Sequence, residues 1–584
     1  MSSDTDNTAA PVSVMATRRV PLMFDGNNDP FFASVTSPET FLIKALGVLP
    51  PKHVIPVIFV PGIMGTNICS NGKLSKDGEP AWRPPNGSAA GLGEWWSRRS
   101  QTPKERQKQM SPETTRVDET GLVTIPKGLY TLTKEEAQRR HWGEVHSDSY
   151  NAFLAWLELN LNDQYEFAGK PGSKLLPSWE TAKTLQKTES HSFGNETVDI
   201  KKIWNPMRGS IAGLTDAEVK KAGDYYFPVW ACGYNWLQSN EKSSDALVAR
   251  INEVLDYYKK SKTLIPEGRV IVITHSMGGL VARRAAQKVP GLIMGVLHGV
   301  QPVVGAPVVY RRFRAGTERD SYNPEAAILS SIIGYTPADV TCVLGNSPGP
   351  MELLPTKYYP SGWLEVEVPS GGKSAVIKQL PAADPYSEIY SKQVKNVWWG
   401  MIDESLLDPA GIVAKKDVTA FDAYQKNLLT ASDFHDAVKL ECHRVTYAYY
   451  GGDTSHAAYS QIRWVTKDQV EESWTPALVT AQPTSHNDVG QTVVTMPNGK
   501  AVTFNVGGRG EPKKSGESNT GDGTVPLVSG AKINDGSILS CRMTGFDHQN
   551  SYNDDNVRDL TLYCVAKIAQ EAIAVQQLPQ SKGK

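Results

Sequence analysis

An unbroken apolar run at Val270–Ile273 is followed by the glycine-rich turn Thr274–Gly279. Four β-branched residues in a row are too few for a helix and are typical of a strand buried on both faces. Small and basic residues then continue as a helical segment that ends before Pro290. A strand, a sharp turn centred on Ser276 and a helix predict a nucleophile elbow, in which the serine hydroxyl projects above the sheet edge.

A second apolar run lies near the start of the chain and leads into another glycine-rich turn. Val54–Val60 predicts a buried strand, and it continues into Pro61-Gly62-Ile63-Met64-Gly65. In hydrolases with a later serine elbow, this turn supplies the second backbone donor to the reacting oxygen. We therefore expect the backbone N–H groups of Ile63 and Met277 to form an oxyanion hole.

Strand-like and helix-like segments alternate between about residue 200 and residue 310, which favours a parallel sheet. The predicted fold is α/β: an α/β-hydrolase core with a mostly parallel central sheet, helices on both faces and large cap insertions. The predicted division is a partly disordered N-terminal segment at 1–50, a first part of the core at 51–309 with an insertion at about 70–150, a cap or lid at 310–440, and a second part of the core at 441–584 with an insertion at about 453–518.

Composition and charge exclude some classes of function. The chain has 584 residues, 40% of them hydrophobic, and a formal net charge of -1, so nothing indicates nucleic-acid binding. Six scattered cysteines without CxxC spacing predict reduced thiols, and we expect no cofactor and no metal ion. The N-terminus has no apolar segment after a basic start, so we expect synthesis in the cytoplasm without a signal peptide.

The general base and the acid follow from the order serine, acid, histidine that such hydrolases use. His548 comes directly after the last predicted strand and is the only histidine after Asp522, so it is the candidate base. Asp453 follows a predicted strand at the generic acid position. Asp522 lies between Gly521 and Gly523, which allow the backbone to fold closely around a carboxylate. The residues alone leave both acids open.

Six motifs, taken in order, resemble those of the lecithin:cholesterol acyltransferase-like lipases: PGIMGTN, YNW, THSMGG, PVVGAP, MELLP and GDGTVPL. The resemblance covers about residues 54–310 and 440–575. In that family the aspartate of GDGTVP is the triad acid, so the resemblance implies Asp522 over Asp453. The sequence departs from the family at Thr274, where glycine is usual, and at Asn235, where aspartate is usual.

Two further stretches, RHWGEVHSDSYNAFL and VLHGVQPVVGAP, resemble the bacterial type VI secretion lipase effectors. Members of that group are made without a signal peptide and injected into rival cells, where they attack phospholipids. The resemblance implies a membrane phospholipid substrate, an immunity protein, and a secretion needle-tip or adaptor protein as partners. It also implies that the protein is secreted into the periplasm of the target cell.

A lipase needs an apolar surface near its serine, and residues 324–345 contain suitable material. We expect Ile328, Leu329, Ile332 and Ile333 to belong to a lid that covers Ser276 in solution, although the same spacing also fits simple packing on the core. The leading hypothesis is a serine lipase or phospholipase. The alternatives are a cytoplasmic esterase or acyltransferase acting on a soluble ester or lipid alcohol, and a non-catalytic binding protein with a hydrolase fold.

Overall fold

The computed structural model describes most of the chain, in ten ranges: 18–33, 45–84, 100–126, 129–166, 173–191, 194–317, 334–391, 397–416, 418–507 and 519–576. The four lid candidates, Ile328, Leu329, Ile332 and Ile333, lie outside the described residues. The lid therefore stays a prediction.

A seven-stranded sheet forms the centre of the molecule. Its strands in chain order are β1 (Val57–Val60), β2 (Pro206–Arg208), β3 (Val229–Ala231), β4 (Val270–His275), β5 (Ile293–Gly299), β6 (Thr446–Gly451) and β7 (Leu539–Met543). Their order across the sheet is β2-β7-β6-β5-β4-β1-β3. All neighbours are parallel except β2, which is antiparallel to β7. The prediction of a mostly parallel sheet is confirmed.

Helices cover both faces of this sheet. The helices of eight or more residues among those described are α1 (Ser147–Asn162), α2 (Pro177–Thr184), α3 (Asn240–Lys259), α4 (Gly278–Lys288), α5 (Val308–Ala315), α6 (Pro337–Leu344), α7 (Ala420–Val438) and α8 (Asp555–Gln576). Shorter helices are Pro103–Gln109, Lys134–Arg139, Ile200–Trp204, Asp216–Ala222, Pro348–Met351, Thr475–Thr480 and Leu527–Gly530.

The apolar runs of β1 and β4 supply two separate cores. Alternate side chains along a strand point to opposite faces. Val60 and Val272 lie in the core shared with α3 and α4, whereas Phe59 and Ile273 lie in the core shared with α1 and α8. This arrangement explains why both strands are unbroken apolar runs, since neither face of the sheet is left to solvent.

A second sheet of six strands combines distant parts of the chain. In spatial order its strands are Lys373–Leu380, Leu364–Ser370, Ile462–Thr466, Ala501–Val506, Gln491–Thr495 and Ser485–His486. Its strands thus come from both the predicted cap at 310–440 and the predicted insertion at 453–518. The domain division itself stays a prediction. Gly499, at φ 82°, allows the tight turn of the hairpin between the Gln491–Thr495 and Ala501–Val506 strands.

The other described strands are short. Ile68–Ser70, Pro80–Trp82 and Thr115–Val117 form a sheet of their own, and Gln186–His191 pairs with Gly194–Asp199. The remaining two-residue strands are Arg18–Arg19, Met23–Phe24, Pro30–Phe31, Ala45–Leu46, His53–Val54, Tyr225–Tyr226 and Ile265–Pro266. Within the described ranges, no helix has the length and apolar character needed to cross a membrane.

Candidate active site

Ser276 lies in the turn that joins β4 to α4, as the sequence pattern predicts. Its φ is 52°, a region that non-glycine residues seldom adopt and that carries backbone strain. The Ser276 N–H donates to the Gly299 carbonyl on β5, at 2.9 Å. A Cβ at position 278 would lie 2.5 Å from the carbonyl oxygens of both Val60 and Pro61, so glycine is needed for α4 to begin this close to β1.

Thr274 occupies the place where related elbows have glycine, and the structure shows how it is accommodated. Its side chain is fully buried and its hydroxyl lies 3.1 Å from His298 Nδ1 on the neighbouring β5. Its carbonyl accepts a hydrogen bond from the Tyr552 hydroxyl at 2.8 Å. The threonine side chain thus fills space towards β5, while the close approach of α4 to β1 depends on Gly278.

The three residues predicted for a catalytic triad are brought together from distant parts of the chain. His548 Nε2 lies 2.8 Å from Ser276 Oγ, and His548 Nδ1 lies 2.9 Å from Asp522 Oδ2. The other oxygen, Asp522 Oδ1, accepts the N–H groups of Thr524 (3.0 Å) and Val525 (2.7 Å). The His548 N–H donates to the Asp522 carbonyl at 2.8 Å. The loop that carries Asp522 (the acid loop) and the loop that carries His548 (the base loop) are therefore also joined through the backbone.

This geometry fixes the direction in which a proton can move. A carboxylate only accepts hydrogen bonds, so the proton of neutral His548 is on Nδ1 and Nε2 is free to accept the Ser276 O–H. Ser276 and Asp522 are buried, and only 9% of His548 is exposed. An imidazole in this position can act as a general base towards the serine, and the aspartate can stabilise the imidazolium that forms.

Asp453, the other candidate acid, lies next to the site without contacting His548. Its Oδ2 accepts the Gly545 N–H at 3.1 Å and lies 3.2 Å from His456 Nδ1. Burial opposes the ionisation of Asp453, but hydrogen bonds from Ser455, Gly545 and His456 outweigh it and lower its pKa to about 2. The carboxylate is therefore fully engaged by its own turn and by the start of the loop that carries His548.

The predicted oxyanion turn lies directly against the serine. The Gly65 N–H donates to the Gly62 carbonyl at 3.0 Å, and Met64 has φ 63°, which is the geometry of a tight turn. A Cβ at Gly62 would lie 3.0 Å from Ser276 Cβ. Among the described residues, the N–H groups of Ile63 and Met277 have no hydrogen-bond acceptor. Two unpartnered N–H groups beside a serine are what an oxyanion hole requires.

Several residues that hold this turn were not predicted from the sequence. Trp82 Nε1 donates to the Met64 carbonyl at 2.7 Å, the Tyr234 hydroxyl donates to the Pro61 carbonyl at 2.9 Å, and the Gly62 N–H donates to the Tyr150 hydroxyl at 3.4 Å. Tyr234 belongs to the YNW motif and could have been singled out on that ground. Tyr150 lies within the RHWGEVHSDSYNAFL stretch and could have been singled out in the same way, whereas nothing in the local sequence indicates the role of Trp82.

In the part of the chain that the structure describes, no three or more His, Cys, Asp or Glu side chains are grouped so that they could hold a metal ion. All six cysteines are free thiols, and five of them are buried.

The parallel sheet, the serine elbow and the order of the three residues define the α/β-hydrolase class. Residues 239–314, which include the elbow, match a family model described as a PGAP1-like alpha/beta domain. The chain is also similar to a chain in the crystal structure of the Tle4-Tli4 complex. The identity is 29%, the TM-score is 0.70, and the match covers 88% of this chain and 98% of the other. No curated protein matches the sequence.

These matches confirm the predicted fold class, an α/β-hydrolase core with a mostly parallel sheet and insertions. They also support the resemblance to lipase effectors on which the sequence interpretation relies. The segment of this chain that matches the family model is short, but it contains α3, β4, α4, β5 and most of α5. The structural match, in contrast, extends over almost the whole chain.

Proposed function

We propose that this protein is a serine phospholipase that hydrolyses acyl esters of membrane glycerophospholipids and serves as an antibacterial type VI secretion effector. The single observation that carries the catalytic part is the placement of Ser276 Oγ and Asp522 Oδ2 on opposite ring nitrogens of His548, at 2.8 and 2.9 Å. The similarity to Tle4 and to the PGAP1-like model supports the class of enzyme.

The first half of the proposed reaction transfers the acyl group to the enzyme. Ser276 Oγ attacks the ester carbon while His548 Nε2 takes the hydroxyl proton. The carbonyl oxygen becomes negatively charged and is bound by the N–H groups of Ile63 and Met277. When the intermediate collapses, the ester C–O bond breaks and His548 returns the proton to the leaving lysophospholipid oxygen. The products of this half are an acyl-serine and a lysophospholipid.

The second half uses water in place of the serine. His548 removes a proton from a water molecule, which attacks the acyl-serine carbonyl, and the same two N–H groups bind the negative oxygen. Collapse returns the proton to Ser276 and releases the fatty acid. Asp522 exchanges no proton in either half; it holds the His548 tautomer and stabilises the imidazolium.

The proposed partners follow from the same comparison. Tle4 is found in a complex with Tli4. By similarity, we propose that this chain binds an immunity protein that protects the producing cell. Delivery by a needle-tip or adaptor protein, and action in the periplasm of the target cell, complete the proposal.

Product analysis on defined phospholipids tests the catalytic proposal. Vesicles of a phosphatidylethanolamine with two different acyl chains are incubated with the wild type, with Ser276→Ala and with the matched control Ser455→Ala. Mass spectrometry then identifies the fatty acid and the lysophospholipid released. We expect release by the wild type and the control and none by Ser276→Ala. Unchanged release by a folded Ser276→Ala variant would refute the nucleophile assignment.

A further inference from the structure

The peptide group between Pro61 and Gly62 is held on both sides by buried tyrosine hydroxyls. Its carbonyl accepts from Tyr234 at 2.9 Å and its N–H donates to Tyr150 at 3.4 Å. Both tyrosines are only 1% exposed. The C=O and N–H of a trans peptide point in opposite directions. The two hydroxyls therefore lie on opposite sides of the peptide and restrict its rotation.

The next peptide group contains the candidate oxyanion donor. The Gly62 carbonyl accepts the Gly65 N–H at 3.0 Å, so the Ile63 N–H of the same peptide points the opposite way, out of the turn. The two peptides share Gly62, and glycine allows wide backbone rotation. The tyrosine contacts thus limit this freedom at the residue that sets the direction of the Ile63 N–H.

Tyr150 also contacts the elbow, and through it the base loop. His275 Nε2 lies 2.8 Å from the His548 carbonyl, which can only accept, so Nε2 carries a proton. Burial lowers the pKa of His275 to about 3, so the ring is neutral near pH 7 and Nδ1 is an acceptor. The Tyr150 hydroxyl, 3.0 Å from Nδ1, therefore donates to His275 while its oxygen accepts the Gly62 N–H.

These directions form one chain of hydrogen bonds from the oxyanion turn to the catalytic base: Gly62 N–H to Tyr150, Tyr150 O–H to His275, and His275 N–H to the His548 carbonyl. The close approach of Tyr150 to the PGIMG turn explains why residue 65 is glycine. A Cβ at Gly65 would lie 2.8 Å from the Tyr150 hydroxyl, so a larger residue there would displace the tyrosine.

We propose that Tyr150 and Tyr234 are positioning residues of the oxyanion hole, and that Tyr150 couples it to the base loop through His275. The inference rests on the proposed function, because it assigns a role to the same site. If these tyrosines served only to stabilise the fold, the packing of their rings would be sufficient. The Tyr150 ring packs on Phe59, with 5.0 Å between centroids, and phenylalanine would keep that contact. Replacement by phenylalanine therefore isolates the hydroxyl.

The test compares Tyr150→Phe, Tyr234→Phe and the double variant with Tyr424→Phe. Tyr424 is a matched control, because it is buried on α7 and its hydroxyl donates to a backbone carbonyl, that of Tyr390, at 2.9 Å. Three quantities are measured: kcat and KM on a short soluble ester, the inhibition constant of an alkyl boronic acid that forms a tetrahedral adduct with the serine, and the rate of labelling by a phosphonate.

We expect kcat to fall about 10-fold in each single variant, with KM within twofold, and the boronic acid to bind more weakly by a similar factor. The control should stay within twofold of the wild type in all three measurements. If the Tyr150 and Tyr234 variants behave like the control while wild-type Ser276 is labelled, the positioning role is refuted and the proposed function stands. If wild-type Ser276 is not labelled, the proposed function is refuted, and the positioning role with it.

Discussion

Two Asp–His pairs lie side by side in the part of the chain that the structure describes, and one of the two is joined to the elbow serine. Asp522 and His548 are 26 residues apart and meet at 2.9 Å, with side chains 1% and 11% exposed. Asp453 and His456 are three residues apart and meet at 3.2 Å, with side chains 17% and 33% exposed. Both pairs use the Nδ1 atom of the histidine.

The position of the serine separates the two pairs. Ser276 lies on Nε2 of His548, opposite the aspartate, whereas Ser455 Oγ lies 3.2 Å from Nδ1 of His456, on the same nitrogen as Asp453. A proton relay from serine to imidazole with carboxylate support requires both ring nitrogens. Ser455, His456 and Asp453 come from a single turn, and there the serine and the aspartate share one nitrogen. The same three residue types therefore form a triad only when separate loops approach the imidazole from opposite sides.

Asp453 nevertheless helps to hold the Asp522–His548 pair in place. Asp453 and Gly521 exchange two backbone hydrogen bonds, at 3.0 and 3.1 Å, and the Asp453 carboxylate accepts the Gly545 N–H. Gly521 precedes Asp522, and Gly545 begins the loop to His548. Asp453 thus connects the acid loop and the base loop at the end of β6.

The largest expected effect on kcat comes from removing Ser276 or His548, and it contrasts with removing Ser455 or His456. Ser276→Ala and His548→Ala should each lower kcat on a soluble ester by a factor of about 10³ or more, because the three residues act as a unit. Ser455→Ala and His456→Ala should change kcat by less than about twofold, since neither is placed to relay a proton. Circular dichroism confirms that each variant is folded. Comparable losses of kcat in the two groups of variants would show that the Asp453–His456 pair contributes to the reaction as much as the Asp522–His548 pair does.

A smaller effect is expected from the acids. Asp522→Asn should lower kcat by about 10²-fold or more, because the amide no longer holds His548 in the required tautomer. Asp453→Asn keeps the backbone bridge to Gly521 and should cost less than about 10-fold. Steady-state kinetics on the same ester measures both. The reverse order would show that Asp453 is the acid of the working enzyme.

The smallest effect concerns stability and pH. The pKa of folded Asp453 is about 2, below that of an unfolded aspartate, so its ionised form stabilises the fold above about pH 4. This contribution is lost as the pH falls through the folded pKa. We therefore expect Asp453→Asn to lower the unfolding midpoint in urea at pH 6, and the difference from the wild type to shrink towards pH 3. A difference that stays constant with pH would contradict the role given to the carboxylate.

Much of the site could be predicted where the signal is local. The apolar run before Ser276, the glycine at position 278 and Pro290 predicted a strand, a turn and a helix, and the structure has Val270–His275 followed by Gly278–Lys288. The run before Ile63 predicted β1 in the same way. These elements were accessible because a doubly buried strand and a tight turn each impose a recognisable pattern on a few consecutive residues.

The choice between the acids was not local. The residues left Asp453 and Asp522 open, and only the family resemblance favoured Asp522. The structure places Asp522 against His548 because the Gly521–Pro526 turn folds back on itself and its N–H groups bind one carboxylate oxygen. The spacing of residues along the chain does not predict this contact, because it forms between two loops that meet above the sheet.

The sequence by itself determined the fold class, the parallel sheet and the serine elbow, because each follows from hydrophobic periodicity or from turn residues acting over short distances. The tertiary structure decided which aspartate meets the base, and it placed Tyr150, Tyr234 and Trp82 around the oxyanion turn. A buried hydroxyl or indole can bond any backbone group that the fold brings within reach. Such partners are therefore fixed by packing, and the residues beside them do not indicate which backbone group they will bond.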